Sequence, residues 1–353
     1  MTAISTQLVT ALERQGLAEF LAGFSGDSVD LGQWARQVDR LDGPLRTIAG
    51  FFLLGRPAKL ARLPPAVAAA MPRLREYGVA VQQGDEAQLV DVSLFRAHGV
   101  WLFAEPPSLF QVRHYFGPDS IALARRISYR PGSRVLDLCA GPGFQGLVAA
   151  QQHARATLVE LLPDVARVAV LNAALNGLAE RTEVLTGDLY DPLASGRDPY
   201  DHVVANIPFL PTLTEPGTET PQQGGEDGFT VGRRVLEGLP HRLAPHGTAH
   251  LTALLFQAGQ ELLMAEELRA WARAHGYALI VSLTDEMAVG PRSDLVQTAV
   301  SDLLDADPEA DPDALSTEVA DMFARSGATR ARLSYLRIDR GVSGFRMLDH
   351  AAR

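Results

Sequence analysis

The sequence contains a single cysteine, Cys139, among 353 residues. A disulfide within the chain is therefore excluded, and so is a zinc site built from several cysteines. The nine histidines show no spacing typical of metal ligands, so no metal site is predicted. We interpret Cys139 as a small turn residue rather than as a nucleophile.

Lysine is equally rare, since Lys59 is the only one, and acidic residues outnumber basic ones by 42 to 32. The formal charge of −10 argues against broad binding to a phosphate backbone, which requires clustered basic side chains. Nucleic acid is therefore not an expected partner, although methylation of one defined RNA base stays open.

Long apolar runs are also absent. The longest, such as Ile48–Leu54, are far too short to cross a bilayer, and no secretion signal is visible at the N-terminus. We therefore expect no membrane association and a cytoplasmic location. A hydrophobic content of 46% predicts a substantial core, and the length predicts two domains or one enlarged domain.

The most informative pattern present is a glycine turn between an apolar strand-like stretch and a helical one. Residues 134–138 (RVLDL) predict a buried strand, and residues 144–152 predict the helix behind it. Gly141 and Gly143 can adopt positive φ and have no Cβ, so a nucleotide-sized ligand can approach the backbone amides there. Taken alone, such a turn is more often a tight connection than a ligand loop.

Three further predicted strands each end in polar residues. Glu160 ends the second strand about twenty residues after the glycine turn, Asp188 follows the third strand, and Asn206 follows the fourth. Ligands of open α/β sheets bind at the carboxyl ends of the strands. The pattern therefore predicts a ligand site at this edge, with the Glu160 carboxylate accepting from ribose hydroxyls.

The motifs DLCAGPG, VELLPD, GDLYDP and YDHVVANIPF together resemble the motif series of class I S-adenosylmethionine (SAM)-dependent methyltransferases. The resemblance is to the branch with Asn-Pro-Pro-Phe or Asn-Pro-Pro-Tyr after strand four, which methylates nitrogen. The stretch GGEDGFTVGRRVL is also similar to the glutamine side-chain methyltransferases of release factors. The resemblance covers roughly residues 111–285 and a last strand at 332–339. Two positions depart from the pattern: Cys139 replaces a glycine, and Ile207 replaces a proline, which restores an N–H and frees φ.

The resemblance implies that SAM binds at the predicted site, as methyl donor or as substrate. It implies that Glu160 binds the ribose and that Asp188 accepts from the adenine amino group, with Leu189 beside the ring. The implied cofactor-binding residues are Asp137, Cys139, Ala140, Gly141, Gly143, Glu160, Leu161, Asp188, Leu189 and Asn206.

The resemblance also implies that the loop Asn206–Phe209 receives the methyl acceptor. An Asn amide oxygen and a neighbouring backbone carbonyl can accept from an acceptor –NH2, and Phe209 can stack on it or form an apolar wall. The alternative for Asn206 is a local cap at the end of a strand. His114, Tyr115 and Phe116 are predicted pocket walls, with aromatic packing at a domain junction as an equal alternative. The implied catalytic residues are Asn206, Pro208, Phe209 and Tyr115.

Several functions fit these motifs. The first is SAM-dependent methyl transfer to a nitrogen of a small molecule or of a peptide or protein. The second is a SAM-consuming cyclase of methyltransferase fold that forms azetidine-2-carboxylate and methylthioadenosine. The third is a non-catalytic SAM-binding scaffold. A Rossmann dehydrogenase shares Gly141-x-Gly143-x-x-Gly146 and Glu160 but does not need the elements around Asp188 and Asn206.

The predicted fold class is α/β, with a Rossmann-like sheet of seven mostly parallel strands in a SAM-binding catalytic domain over residues 108–353. Residues 1–107 predict a smaller helical, winged-helix-like domain, because helices precede a hairpin at Gly84-Asp85. Residues 51–107 have a net charge of +1, which is too small for a DNA-binding surface. A role in substrate recognition or in dimerisation is therefore favoured, and dimerisation would make the protein a homodimer.

Residues 301–318 carry seven acids and no base, within a predicted acidic insertion at about 290–328. Such a run is usually a solvated surface loop, and a lid is the alternative. Asp119 or Ser120 is predicted to cap the helix that contains IALARRI. Glu226 and Asp227 are predicted either to line the acceptor pocket or to cap a helix.

Overall fold

The computed structural model describes residues 2–24, 31–106, 112–211, 224–225 and 227–350. The helices are α1 (Thr2–Arg14), α2 (Leu17–Ala22), α3 (Leu31–Val38), α4 (Gly43–Leu54), α5 (Pro65–Glu76), α6 (Pro118–Ala124), α7 (Phe144–Gln151), α8 (Pro163–Leu175), α9 (Thr230–Arg242), α10 (Ala265–His275), α11 (Asp294–Ala306) and α12 (Pro312–Arg325). The strands are β1 (Ala58–Lys59), β2 (Ala80–Gln83), β3 (Glu86–Leu89), β4 (Ser93–Ala97), β5 (Val100–Ala104), β6 (Arg134–Leu138), β7 (Arg155–Glu160), β8 (Thr182–Thr186), β9 (Tyr200–Asn206), β10 (Leu243–Ala258), β11 (Glu261–Leu262), β12 (Tyr277–Ala288), β13 (Arg330–Arg340) and β14 (Gly344–Asp349).

The chain divides into two compact units. The first unit comprises Met1–Pro107, Arg113–Ser133 and Ala140–Pro192. The second comprises Ser108–Val112, Arg134–Cys139 and Leu193–Arg353. The proposed boundary between a recognition domain and a catalytic domain after residue 107 is a functional division, and it stays a prediction.

The first unit contains the predicted helix-then-hairpin arrangement. Strands β2 and β3 pair antiparallel around a turn at Gly84, whose φ is 60°, and β1 adds to β3. Strands β4 and β5 form a separate antiparallel pair. Strands β7 and β8 are parallel, and α8 connects them, as expected for a βαβ crossover.

The second unit contains a mixed sheet in which the neighbouring strands are β14, β12, β13, β10, β9 and β6. Strands β6, β9 and β10 are parallel, and four of the five residues of β6 are buried, which is typical of a strand covered on both faces. Strand β13 runs antiparallel to β10 and β12. The predicted α/β class is confirmed. Strand β14, which follows the strand expected to be last, was not predicted.

The acidic insertion is helical, so the expectation of a solvated loop is wrong. Residues 294–306 and 312–325 form α11 and α12, which Gln297 connects by donating to Ser316 Oγ at 3.1 Å. The acids Asp307, Glu309, Asp311, Asp313 and Glu318 are exposed. Leu315, Val319 and Phe323 recur at helical spacing and pack in an apolar cluster. Counting charges does not reveal this apolar stripe, because an apolar helix face requires an apolar residue only at every third or fourth position.

None of the described helices combines the length and the apolar character that crossing a membrane requires.

Candidate functional site

In the first unit, the glycine turn has the backbone geometry predicted for it. Gly141 and Gly143 have φ values of 54° and 96°, and Gly143 lies at the N-terminal cap of α7. A Cβ on Gly143 would stand 2.9 Å from Leu158 Cδ2, so close packing also requires glycine there. Cys139, the last residue before this turn, belongs to the second unit, and its φ of 53° agrees with its interpretation as a turn residue. A Cβ added to Gly141 would have one described atom within 4 Å beyond its chain neighbours, the Tyr115 carbonyl oxygen at 3.7 Å.

The Glu160 carboxylate lies beside this turn and is 8% exposed. Its Oε2 accepts from the Gly141 N–H at 2.8 Å, and its Oε1 accepts from the Leu162 N–H at 2.9 Å. Burial raises the pKa of Glu160, and the backbone N–H donors oppose that rise. Each carboxylate oxygen has a second lone pair, so both can accept further hydrogen bonds from a ligand. Leu161, the next residue, is an exposed apolar side chain.

The end of β8 lies near the end of β7. The Gly187 N–H donates to the Glu160 carbonyl oxygen at 2.9 Å, and Asp188 follows in a turn closed by the Asp191 N–H at 2.9 Å. Leu189 is buried and has a φ of 45°, an uncommon conformation for a residue with a Cβ. Three of the predicted cofactor-binding residues, Glu160, Asp188 and Leu189, therefore follow two neighbouring parallel strands.

Tyr115 lies beside the glycine turn, and its hydroxyl donates to Asp119 Oδ1 at 2.6 Å. Helix α6 begins at Pro118 with Gly117 at its N-cap, so the prediction that Asp119 or Ser120 caps this helix is wrong in position. Asp119 instead lies in the first turn. Ser120 Oγ accepts from the Gly117 N–H at 3.4 Å, which is the reverse half of a capping box.

The two neighbours of Tyr115 have other contacts. His114 Nδ1 lies 2.8 Å from Glu105 Oε1, and the Arg113 N–H donates to the same carboxylate at 2.8 Å. Phe116 is 1% exposed and packs between Phe95 and Phe144 at centroid distances of 5.4 and 4.8 Å. For Phe116, the alternative of aromatic packing therefore describes its observed contacts.

Sequence reasoning missed Asn172, which connects the glycine turn to β5. Its Oδ1 accepts from the Phe103 N–H at 2.8 Å, while its Nδ2 donates to the carbonyl oxygens of Phe103 at 3.0 Å and Pro142 at 2.9 Å. Asn172 is fully buried. The available clue was an Asn within the otherwise apolar stretch 168–175 of α8, because a buried amide must find partners in the core.

In the second unit, Asp137 and Asn206 lie on adjacent parallel strands. Asp137 on β6 is opposite Val204 of β9, and Asn206 is the last residue of β9. Asp137 is 1% exposed. Ile207 is 2% exposed and therefore fills apolar space, which explains why an aliphatic side chain is accepted in place of proline. Pro208 and Phe209 are half-buried.

Gly224, Gly225 and Gly228, here called the glycine segment, lie against the loop that carries Pro208 and Phe209. A Cβ on Gly224 would stand 2.7 Å from the Pro208 carbonyl oxygen, and one on Gly228 would collide with the Phe209 carbonyl oxygen. The Gly224 N–H donates to the Leu210 carbonyl oxygen at 2.6 Å. The glycines therefore allow two backbone segments to approach more closely than side chains would permit.

The Asp227 carboxylate in this segment is held by hydrogen bonds at the start of α9. It accepts from the Phe229 N–H at 3.1 Å and from both terminal nitrogens of Arg233 at 2.9 and 2.5 Å. Arg233 also donates to Glu267 on α10 at 2.6 and 3.0 Å. Burial raises the pKa of Asp227, but the Arg233 guanidinium and the Phe229 N–H outweigh it and lower the pKa overall. Glu226 lies outside the described residues.

The methyltransferase small domain family matches residues 113–279 of this chain. The matched segment contains all the predicted site residues and ends before α11. It supports the predicted methyltransferase class for this segment, which is somewhat less than half of the chain. In the described parts of the chain, no group of three His, Cys, Asp or Glu side chains is arranged to bind a metal ion.

Curated relatives carry more specific names. The chain is 36% identical over 124 residues to the ribosomal protein uL3 glutamine methyltransferase of Bradyrhizobium diazoefficiens, covering 32% of this chain and 38% of the relative. It is 26% identical over 177 residues to the release factor glutamine methyltransferase of Agrobacterium fabrum, covering 46% of this chain and 57% of the relative. The chain thus spans about two fifths to three fifths of the length of these relatives. A solved SAM-dependent methyltransferase from Thiobacillus denitrificans, in complex with S-adenosyl-L-homocysteine, is 16% identical with a TM-score of 0.36, and the alignment covers 64% of this chain and 91% of that one.

Proposed function

We propose that this protein is a SAM-dependent methyltransferase that methylates the side-chain amide nitrogen of a glutamine in a protein acceptor. The observation that carries the proposal is the bond between Gly141 and the buried Glu160, within a segment matched to a methyltransferase family. The names of the relatives support glutamine as the acceptor and a ribosomal protein or release factor as its carrier. A cytoplasmic location is part of the proposal, because translation components are made and used there.

The residues of the first unit fit the adenosyl part of SAM. The Glu160 carboxylate is the proposed acceptor for the two ribose hydroxyls, and its bonds to backbone N–H groups fix its orientation. Asp188 is the proposed acceptor for the adenine amino group, with Leu161 and Leu189 as apolar contacts. The absence of a Cβ at Gly141 leaves its backbone open to a ligand.

The residues assigned to the methionine end are Asp137, Cys139, Ala140 and Gly143. We assign them from the family match and from the continuity of the chain through the glycine turn. Tyr115, whose carbonyl oxygen lies near Gly141, is proposed as a wall of the same site. When bound, SAM supplies a methyl group that its positive sulfur has already activated.

The chain's own contribution to the chemistry is positioning and charge stabilisation by Asn206–Phe209, which we call the acceptor loop. The Asn206 amide oxygen and a backbone carbonyl of this loop are proposed to accept from the glutamine –NH2, so that the nitrogen lone pair faces the methyl group. In-line positioning of two reactants supplies up to about 7–11 kcal/mol of a barrier. Pro208 and Phe209 are proposed to wall the acceptor side and to exclude water.

The test is methylation of purified uL3 and release factor from the source organism by the purified protein with SAM. We expect S-adenosylhomocysteine to form only when an acceptor is present, with the methyl group on a glutamine. Methylthioadenosine formed without acceptor would favour the cyclase, an alternative that Ile207 in the acceptor loop leaves open. Binding of SAM without any product would favour the scaffold.

A further inference from the structure

We propose that α11 and α12, here called the insertion helices, position the acceptor loop and so determine recognition of the protein acceptor. The claim about acceptor recognition rests on the proposed function. The claim that the helices position the acceptor loop can be tested without it. The insertion helices lie beyond residue 279, where the family match ends, and they connect β12 to β13.

The insertion helices share one apolar cluster with the residues that follow β9. Leu210 and Phe256 belong to this cluster together with Val296, Val319 and Phe323, and Phe209 packs against it. Leu210, directly after the acceptor loop, is 3% exposed. The core that stabilises the insertion helices is therefore the same core that fixes the end of the acceptor loop.

Phe256 and Phe323 form the most direct connection between the helices and the loop. Their rings lie 5.7 Å apart in an edge-to-face arrangement. A Cβ added to Gly228 would lie 3.6 Å from the Phe256 ring and would collide with the Phe209 carbonyl oxygen. Phe256 therefore lies close to both Phe323 and Gly228, and Phe209 packs against the same cluster.

The glycine segment transmits this packing to the backbone of the loop. The Gly224 N–H donates to the Leu210 carbonyl oxygen at 2.6 Å, and the Thr230 N–H donates to the Gly224 carbonyl oxygen at 2.7 Å. Removing the Phe323 ring leaves a cavity beside Phe256, and the neighbouring ring and backbone relax into it. Phe323 and Phe256 are therefore positioning residues, which act through Phe209 and not by touching the substrate.

The experiment compares the wild type with Phe323→Ala, Phe323→Leu and Leu268→Ala. Leu268 is a buried residue of α10 outside this cluster, so Leu268→Ala controls for a general loss of stability. Two readouts are independent of turnover: S-adenosylhomocysteine affinity by calorimetry, and hydrogen exchange at the amides of Gly224 and Thr230. The third readout is kcat and KM with uL3 or release factor as acceptor.

We expect Phe323→Ala to accelerate exchange at Gly224 and Thr230, while S-adenosylhomocysteine affinity stays within about twofold of the wild type. We expect kcat/KM for the protein acceptor to fall about tenfold, because small displacements of a positioning loop cost that much or more. Phe323→Leu should restore part of both effects, and Leu268→Ala should change neither.

Unchanged exchange at Gly224 in Phe323→Ala overturns the inference, and so does an equal effect in Leu268→Ala. A wild type that binds S-adenosylhomocysteine but methylates neither acceptor contradicts the proposed substrate, whereas the exchange comparison still decides the positioning claim. The two failures are therefore distinguishable.

Discussion

The carboxylate of Glu160 accepts a hydrogen bond from the backbone N–H of Gly141 at 2.8 Å, although the two residues are separated by nineteen positions. This bond joins the end of β7 to the turn that precedes α7. Gly141 has a left-handed φ of 54°, so the bond and the conformation of the turn depend on each other. One side chain thus orders the loop, and its oxygens are the proposed acceptors for the ribose hydroxyls.

The first prediction concerns Glu160→Gln, which removes the negative charge and one acceptor oxygen. A hydrogen bond to a charged group contributes about 1.5–3 kcal/mol, so we expect S-adenosylhomocysteine to bind about ten- to a hundredfold more weakly. Calorimetry measures this, with Glu180→Gln, an exposed residue of the same unit, as the control. Equal affinity in Glu160→Gln and the wild type would remove Glu160 from the site.

The raised pKa of Glu160 gives this prediction a pH signature. The ionised form is the proposed acceptor for the ribose, so the affinity of the wild type should decline as pH falls through the pKa, which lies above the ordinary glutamate value. Stability changes in the opposite direction. A folded-state pKa above the unfolded value favours the folded protein at low pH, and that contribution is lost as pH rises through it. The free energy of unfolding of the wild type relative to Glu160→Gln should therefore decrease with rising pH.

The second prediction separates binding from transfer. Asn206→Ala should retain S-adenosylhomocysteine affinity to within about tenfold, because Asn206 contributes mainly to the acceptor, but it should lower kcat for glutamine methylation by about a hundredfold or more. Parallel calorimetry and single-turnover assays provide the two numbers. Unchanged turnover would show that the acceptor loop has no catalytic role.

The third prediction concerns Gly228, which has a φ of 74° and faces the Phe209 carbonyl oxygen. Gly228→Ala should cost more than about 2 kcal/mol of unfolding free energy, because the left-handed strain adds to a backbone collision. Gly259→Ala is a matched control, since Gly259 has a φ of 61° with no described atom within 4 Å of its Cβ position. It should cost only about 1 kcal/mol. Denaturant unfolding of both variants makes the comparison, and equal losses would contradict it.

The fourth prediction concerns Asn172, whose three hydrogen bonds join β5 to Pro142 in the glycine turn. Asn172→Ala leaves buried backbone groups without partners, and we expect a loss of about 3 kcal/mol of unfolding free energy. Asn176 makes a similar pair of bonds to Trp101 at a half-buried position, and Asn176→Ala should cost about 1 kcal/mol. A loss in Asn172→Ala no larger than in Asn176→Ala would contradict this account.

Much of the fold was predictable because its signals are local. The predicted strand 134–138 coincides with β6, since an apolar stretch bounded by turn residues fixes both ends. The glycine turn and the acid at the end of β7 followed from spacing alone. Helix α12 escaped prediction as a helix because its acids obscured an apolar stripe that matters only once the core is assembled.

The candidate site was less predictable where it depends on distant partners. Asn172 bonds to Pro142 and Phe103, which are 30 and 69 positions away, and no short pattern specifies these partners. Arg233 likewise donates to Glu267, which is 34 positions away. Long-range side-chain contacts of this kind follow from the packing of the elements and not from local propensity.

The central claim is that this protein transfers the methyl group of SAM to a glutamine side chain. The most direct test incubates the protein with isotope-labelled SAM and purified uL3 or release factor, followed by peptide mass spectrometry. The account predicts one labelled methyl group on a glutamine and an equal amount of S-adenosylhomocysteine, both lost in Asn206→Ala. Methylthioadenosine released in the absence of any acceptor, with no label on either protein, would contradict it.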